Sequence, residues 1–207
     1  MKEFLCIKKL IIKALLILSV FVLCGCSNNQ SQKQSEYNVS YLSNNNTTAK
    51  ISYEESLLCE YSTKLIGSDK NRNINIELAC EAINGTIIEP GDTFSFWDIV
   101  GKTTEKKGYK QADAFDSNGE TIHSLGGGIC QISSTLYNAV LKKDSLEVIE
   151  RQPHTEPVAY VEPGKDATVN YGTADFKFKN NSDFPIKIYT RLESSKVIAE
   201  IYALKEQ

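Results

Sequence analysis

The stretch of the 207-residue chain with the clearest chemical potential is Ser124-Leu-Gly-Gly-Gly-Ile-Cys-Gln-Ile-Ser-Ser-Thr-Leu-Tyr-Asn-Ala-Val-Leu141. A triple-glycine turn there delivers Cys130 to the start of a predicted helix. Unpaired N–H groups and the positive dipole end at a helix N-terminus stabilise a thiolate, which makes a cysteine more reactive. Gly126, Gly127 and Gly128 allow a sharp turn and close backbone approach to a ligand. Gly127, Gly128 and Gln131 are therefore expected to line a binding surface. Ile132, Leu136, Ala139 and Val140 fall on one helical face, which is expected to be buried while the first turn stays free. The competing reading is a structural thiol, because free cysteines often pack as small hydrophobes.

Thiolate chemistry on a carbonyl needs a base that takes and returns a proton, and a carboxylate that orients the base. His154 and Asp166 follow Cys130 in suitable order. Asp175 is the reserve for the carboxylate, and His123 is the alternative base. Each also has a plain reading: His154 as a solvated loop histidine, Asp166 as a turn residue after Pro163-Gly164-Lys165. The backbone N–H groups of Cys130 and Gln131 are the expected oxyanion donors. Trp97, beside Phe94 and Phe96, is a candidate contact for a glycan or peptide, although core packing is the simpler role for this aromatic cluster.

The elements that must position these groups begin well inside the chain. Lys2, Lys8, Lys9 and Lys13 precede an apolar run from Ala14 to Leu23 and the small-residue site Leu23-Cys-Gly-Cys26, the pattern of a secretory signal over residues 1–25. The site resembles a bacterial lipobox, which implies cleavage before Cys26 and lipidation of its thiol. That anchors the protein to the outer face of the cytoplasmic membrane. Residues 26–50 are rich in Asn, Ser, Gln and Thr and read as a flexible polar tether. Residues 51–207 suit one domain with its own core. The formal net charge is -3, and losing the signal removes four lysines and one glutamate. With no basic stripe interleaved with aromatics, nucleic acid is not an expected partner.

Cys59 and Cys80 either pair, as exported cysteines do, or are separately buried thiols. From Cys26 onward there is no close-spaced Cys or His pair, so zinc is not expected, and no other cofactor is expected either. Ile51 to Ile66 reads as a strand. Asp69 to Asn75 offers caps for a helix carrying Ile76, Ala79, Cys80 and Ile83, which Asn84-Gly85 ends. Thr86 to Ile88 is a short strand before a Pro-Gly turn, and Gly108 to Gly119 reads as loop. Leu146 to Arg151, Val158 to Val161, Asp166 to Tyr171 and Asp175 to Lys179 are short Val-, Ile- or Phe-rich segments. Ile186 to Tyr189 and Val197 to Tyr202 alternate as strands around a hairpin at Glu193-Ser-Ser-Lys196. The fold class is α+β: one domain with an antiparallel sheet and a central helix opened by the Gly-Gly-Gly-Ile-Cys turn.

Several blocks together carry a family likeness: Arg72-Asn-Xaa-Asn75, Pro90-Gly-Asp-Thr-Phe-Ser-Phe96, Val100-Gly101, Gly108-Tyr109, Gly126-Gly-Gly-Ile-Cys-Gln131, Ser133-Ser-Thr-Leu-Tyr-Asn-Ala139, Glu150-Arg151, Pro153-His154, Asp166-Ala-Thr-Val169 and Asp175-Phe-Lys-Phe-Lys-Asn180. In this order they resemble the VanW family over roughly residues 61–202. The resemblance implies the Gram-positive cell envelope as context and does not itself fix a reaction. The Cys130, His154, Asp166 order is also similar to that of transglutaminase-like and papain-like cysteine enzymes, whereas His123 before Cys130 resembles L,D-transpeptidases. The leading expectation is a lipid-anchored envelope protein doing cysteine-based acyl hydrolysis or transfer on peptidoglycan stem peptides or a wall-associated protein. The alternative is a noncatalytic wall-binding module that uses Phe94, Phe96, Trp97 and the glycine turn, accessory to glycopeptide resistance or wall remodelling.

Overall fold

The computed structural model describes residues 34–35, 52–67, 69–115 and 120–206. The expected signal segment, Cys26 and nearly all of the expected tether lie outside them. Of the tether only Gln34–Ser35 (β1) is described, paired with Glu54 and Tyr53.

The largest sheet has five antiparallel strands in the order β1-β2-β10-β9-β3: β2 is Tyr53–Lys64, β3 Thr86–Ile88, β9 Ile186–Glu193 and β10 Lys196–Glu206. Its hairpin β9–β10 turns through Ser194 and Ser195, at φ 49° and 61°. Two consecutive left-handed residues match the strand twist in a two-residue connection. Alternation along β10 puts Val197, Ala199 and Ile201 on the buried face, as the period-two pattern requires.

Helices α1 (Lys70–Ile83) and α3 (Cys130–Val140) pack on this sheet, α1 over β9 and α3 over β2 and β10. Asp69 caps α1 by accepting from the Asn71 N–H at 2.8 Å. Gly85, at φ 86°, follows its last turn. The predicted apolar positions Ile76, Ala79, Cys80 and Ile83 are all buried. Cys59 and Cys80 are both free thiols in the core. Burial pushes them up to about 11 and about 12 respectively.

A second sheet, β4-β8-β7 (Thr93–Ser95, Lys177–Asn180, Leu146–Glu150), extends the core. Phe94, Phe176 and Phe178 cluster there, with Phe94 stacked on Phe178 at 5.1 Å between ring centres. Ser95 caps a one-turn helix, α2 (Phe96–Val100), by accepting from the Asp98 N–H. The fold is thus α+β, as predicted. Among the described residues no helix is long and apolar enough to cross a membrane.

Local expectations fail in two places. The region read as loop from Gly108 onward contains a two-stranded ribbon, β5 (Gln111–Phe115) with β6 (Thr121–Leu125). Its side chains are mostly exposed, so no alternating apolar signal marked it. Conversely, Val158 to Val161 is not a strand, and residues 166–171 form only the isolated bridges Gln152–Thr168 and Asn170–Ala174. Side-chain hydrogen bonds, described next, hold the 151–175 segment in place of a ladder.

Candidate active site

Gly126 and Gly128 occupy left-handed backbone at φ 88° and 106°. Gly127 presses on β5 so closely that an added Cβ would lie 2.4 Å from the Ala112 carbonyl oxygen. The Asn75 side chain of α1 donates to the Gly127 carbonyl at 3.0 Å. These contacts set the direction in which α3 begins. Gly127 and Gly128 are expended on that packing, against Ala112 and Arg72 respectively, which corrects their reading as ligand-facing positions.

Gln131 is corrected likewise. Its side chain is fully buried, donating to the Thr63 hydroxyl at 3.0 Å and the Lys64 carbonyl at 2.8 Å. Its carbonyl accepts from Arg72 Nη2 at 2.8 Å. The Gln131 N–H donates to the Gly128 carbonyl at 3.0 Å, so it does not serve as an oxyanion donor. The Cys130 N–H has no backbone partner among the described residues and keeps that capacity.

The polar face of α3 is not open to solvent. Ser133, Ser134 and Asn138 are buried beneath residues 165–169. Ser133 donates to the Ala167 carbonyl at 2.6 Å, the Ala167 N–H donates to Ser134 at 2.9 Å, and Asn138 donates to the Lys165 carbonyl at 2.6 Å. This clamp draws Asp166 and Val169 alongside the first turn of α3. Cys130 is partly buried; the Val169 N–H donates to its sulfur at 3.5 Å, and the Thr168 hydroxyl lies 3.7 Å away.

His154 completes the group. Asp166 Oδ2 accepts from both the His154 backbone N–H and Nδ1, the latter at 2.7 Å. An ionised carboxylate only accepts, so Nδ1 carries the hydrogen and Nε2 is left for the sulfur. The ring lies close enough to Cys130 that each group shifts the titration of the other. Arg151 holds the other carboxylate oxygen, with Nη2 3.0 Å from Asp166 Oδ1, while its Nε donates to the Asp166 carbonyl at 2.6 Å. The Arg151 guanidinium also lies over the Tyr137 ring of α3 at 5.3 Å.

The electrostatics follow from this geometry. Burial alone would push the Cys130 thiol up, but the hydrogen bond and charge of His154, with smaller help from Val169 and Thr168, bring it below its ordinary 9.0. Burial disfavours the His154 imidazolium, yet the Cys130 thiolate and Asp166 outweigh it and raise its pKa. Burial works against Asp166 ionisation as well, and the His154 backbone and ring overcome it, lowering that carboxyl. The Cys130 and His154 shifts both run toward a thiolate–imidazolium pair, a nucleophile beside a proton donor.

The other sequence candidates lie elsewhere. His123 is exposed on the β5–β6 ribbon, 3.3 Å from Asp113. Asp175 accepts from Ser95 at 2.7 Å and from the Trp97 N–H at 3.2 Å, tying α2 to β8. Phe94 and Phe96 are wholly buried, so the proposed aromatic binding surface is not formed. Trp97 is wall material: its Nε1 donates to the Ala174 carbonyl at 2.8 Å, and it packs edge-on against Phe96 and Tyr171. A cavity of about 140 Å³ lies against His154 and Asp166, lined by Pro153, Pro157, Val158 and Pro163 among others.

Sequence reasoning passed over Arg72, Arg151 and Tyr160. Tyr160 sets its ring edge-on to His154 at 6.5 Å between ring centres. Burial, then the nearby Cys130 charge, pushes its hydroxyl well above the ordinary tyrosine value. Arg72 and Arg151 were visible only as members of the blocks that carry the family likeness, with nothing in their spacing to reveal a partner.

With the geometry established, comparisons add context. The family described as "VanW like protein" matches residues 71–202. The chain is 42% identical over 146 residues to "Uncharacterized protein YoaR" of Bacillus subtilis (strain 168), covering 70% of this chain and 48% of that protein. It is 34% identical over 142 residues to "Vancomycin B-type resistance protein VanW" of Enterococcus faecalis (strain ATCC 700802 / V583), covering 66% and 51%. The chain thus spans about half the length of these curated relatives. No solved structure is significantly similar.

Proposed function

The chain belongs to the VanW-like family, and from that premise we propose that it is a cell-envelope protein whose Cys130, His154 and Asp166 carry out acyl hydrolysis or transfer. The observation that carries this reading is the Asp166 carboxylate bound to His154 Nδ1 at 2.7 Å, on a ring whose charge and that of Cys130 act on one another. The thiolate attacks the carbonyl carbon of an amide, and the oxyanion takes the Cys130 N–H. As the C–N bond breaks, the imidazolium passes its proton to the leaving amine, giving a thioester. Water or a second amine, deprotonated by His154, then attacks that thioester, releasing the acyl group and restoring the thiolate–imidazolium pair. The chain order of the three residues is that of transglutaminase-like enzymes.

Lipid attachment at Cys26 would hold the domain at the outer face of the membrane, within reach of peptidoglycan stem peptides or wall-associated proteins as substrates. The name of the Enterococcus relative fits an envelope setting. The noncatalytic alternative loses its main support with Phe94 and Phe96 in the core.

The test is to incubate the full chain with peptidoglycan stem peptides and wall protein fragments, then follow amine release and a mass-shifted acyl-enzyme by mass spectrometry. An acyl adduct on Cys130, absent in Cys130→Ala, is the expected result. Turnover undiminished in Cys130→Ala would overturn the reading.

A further inference from the structure

Arg72 stands on the first turn of α1, and its guanidinium lies over the backbone of Gly128. A Cβ at Gly128 would sit 2.6 Å from Arg72 Nη1 and 2.7 Å from its Cγ. The absence of a side chain there is what admits the arginine. Its Nη2 is anchored by the Gln131 carbonyl oxygen, itself held from β2 through Thr63 and Lys64. A half-buried guanidinium is therefore fixed in orientation against the turn that leads into Cys130.

Its charge is not matched locally. Gln131 is neutral, and no carboxylate among the described residues pairs with Arg72. The two carboxylates that act on it from a distance, Asp69 and Asp113, are engaged elsewhere: Asp69 caps α1 and Asp113 faces His123. Tyr160 and Cys130 are its other electrostatic neighbours. Holding a cation partly out of water without a counter-charge is costly. The planar fork with N–H groups beyond Nη2 matches a carboxylate in two-point geometry.

We propose that Arg72 binds a carboxylate of the substrate, so that the acyl donor is a peptide carrying a free carboxylate near the carbonyl that Cys130 attacks. This rests on the reading of Cys130 as a nucleophile. The Cys130 N–H remains for the oxyanion, and Arg72 acts on the neighbouring anionic group.

Two small reagents test it on the full chain. Iodoacetamide reports the nucleophile alone, and iodoacetate adds a carboxylate to the same alkylation. The iodoacetate-to-iodoacetamide rate ratio at Cys130 is expected to exceed that of N-acetylcysteine by about tenfold or more, and iodoacetate labelling to saturate. In Arg72→Gln the ratio falls to that of the free thiol, iodoacetamide labelling of the same variant correcting for any change in the thiolate itself, and Arg72→Lys recovers part of it. A preference that persists in Arg72→Gln comes from the His154 imidazolium and overturns the proposal.

A wild-type measurement guards against a misfolded variant. N-acetyl-Ala-Ala with a free carboxylate should protect Cys130 from iodoacetamide, and its C-terminal amide should not. Equal protection, or none from either, sinks the carboxylate site while leaving fast iodoacetamide labelling intact. Slow iodoacetamide labelling, at the rate of a model thiol, instead removes the nucleophile itself and this proposal with it.

Discussion

Replacing His154 with glutamine separates the two opposed influences on Cys130. Burial pushes the thiol up, and His154 is the foremost group bringing it down. Cys59 and Cys80 show where burial takes a thiol of this chain that has no imidazole beside it, to about 11 and about 12, the former in spite of the nearby Lys142 and Lys143. The wild-type thiol lies below its ordinary 9.0, so His154→Gln should move it up, the way burial moves Cys59 and Cys80. At a pH below both values each tenfold loss of thiolate is partly offset, because the more basic thiolate is intrinsically more nucleophilic with a Brønsted slope of about 0.4–0.5, which returns about threefold. The net expectation is an alkylation slowed by about threefold or more at neutral pH, with the rise in rate displaced to higher pH. The assay is the iodoacetamide rate at Cys130 between pH 5 and 11, read by intact-mass spectrometry. Profiles that superimpose in wild type and His154→Gln would refute the coupling of the two residues.

Acyl turnover needs a thiolate, present above the lowered Cys130 pKa, and an imidazolium, lost above the raised His154 pKa. A bell-shaped kcat/KM profile is expected, with its base-side limb disappearing if a bound amine rather than His154 supplies the proton. Asp166→Asn lets the side chain donate to Nδ1, so that Nε2 carries the hydrogen. Wild-type-like labelling at neutral pH should be lost, with about 1–3 kcal/mol of stability by urea denaturation. Gln131→Leu leaves Thr63, the Lys64 carbonyl and Arg72 without their shared partner and should cost about 2–4 kcal/mol by the same measurement. Gly127→Ala forces β5 and the glycine turn apart and should lower the thermal midpoint as well as slow Cys130 labelling. Asp175→Asn should destabilise α2 and β8 while leaving the Cys130 pH profile of the folded fraction unchanged, which separates the reserve carboxylate from the site.

What the sequence determined by itself is what local pattern can carry. Period-two alternation located β9 and β10, and helical spacing located the buried faces of α1 and α3. A cysteine after three glycines marked the junction where α3 begins. Chain order nominated His154 and Asp166 ahead of His123 and Asp175 but could not establish the choice, because position in sequence does not give the distance of a side chain from Cys130. Tertiary structure made that choice through hydrogen bonds between distant residues: Ser134 and Asn138 of α3 position the segment bearing Asp166, and Asp166 positions His154. The same holds for Gln131, whose glycine-side position suggested a ligand contact, and for its bond to Arg72 across 59 residues of chain. Burial of α3 on both faces decided these roles. A polar side chain in the interior must find a partner there, and the partner's identity depends on which segments the fold brings together.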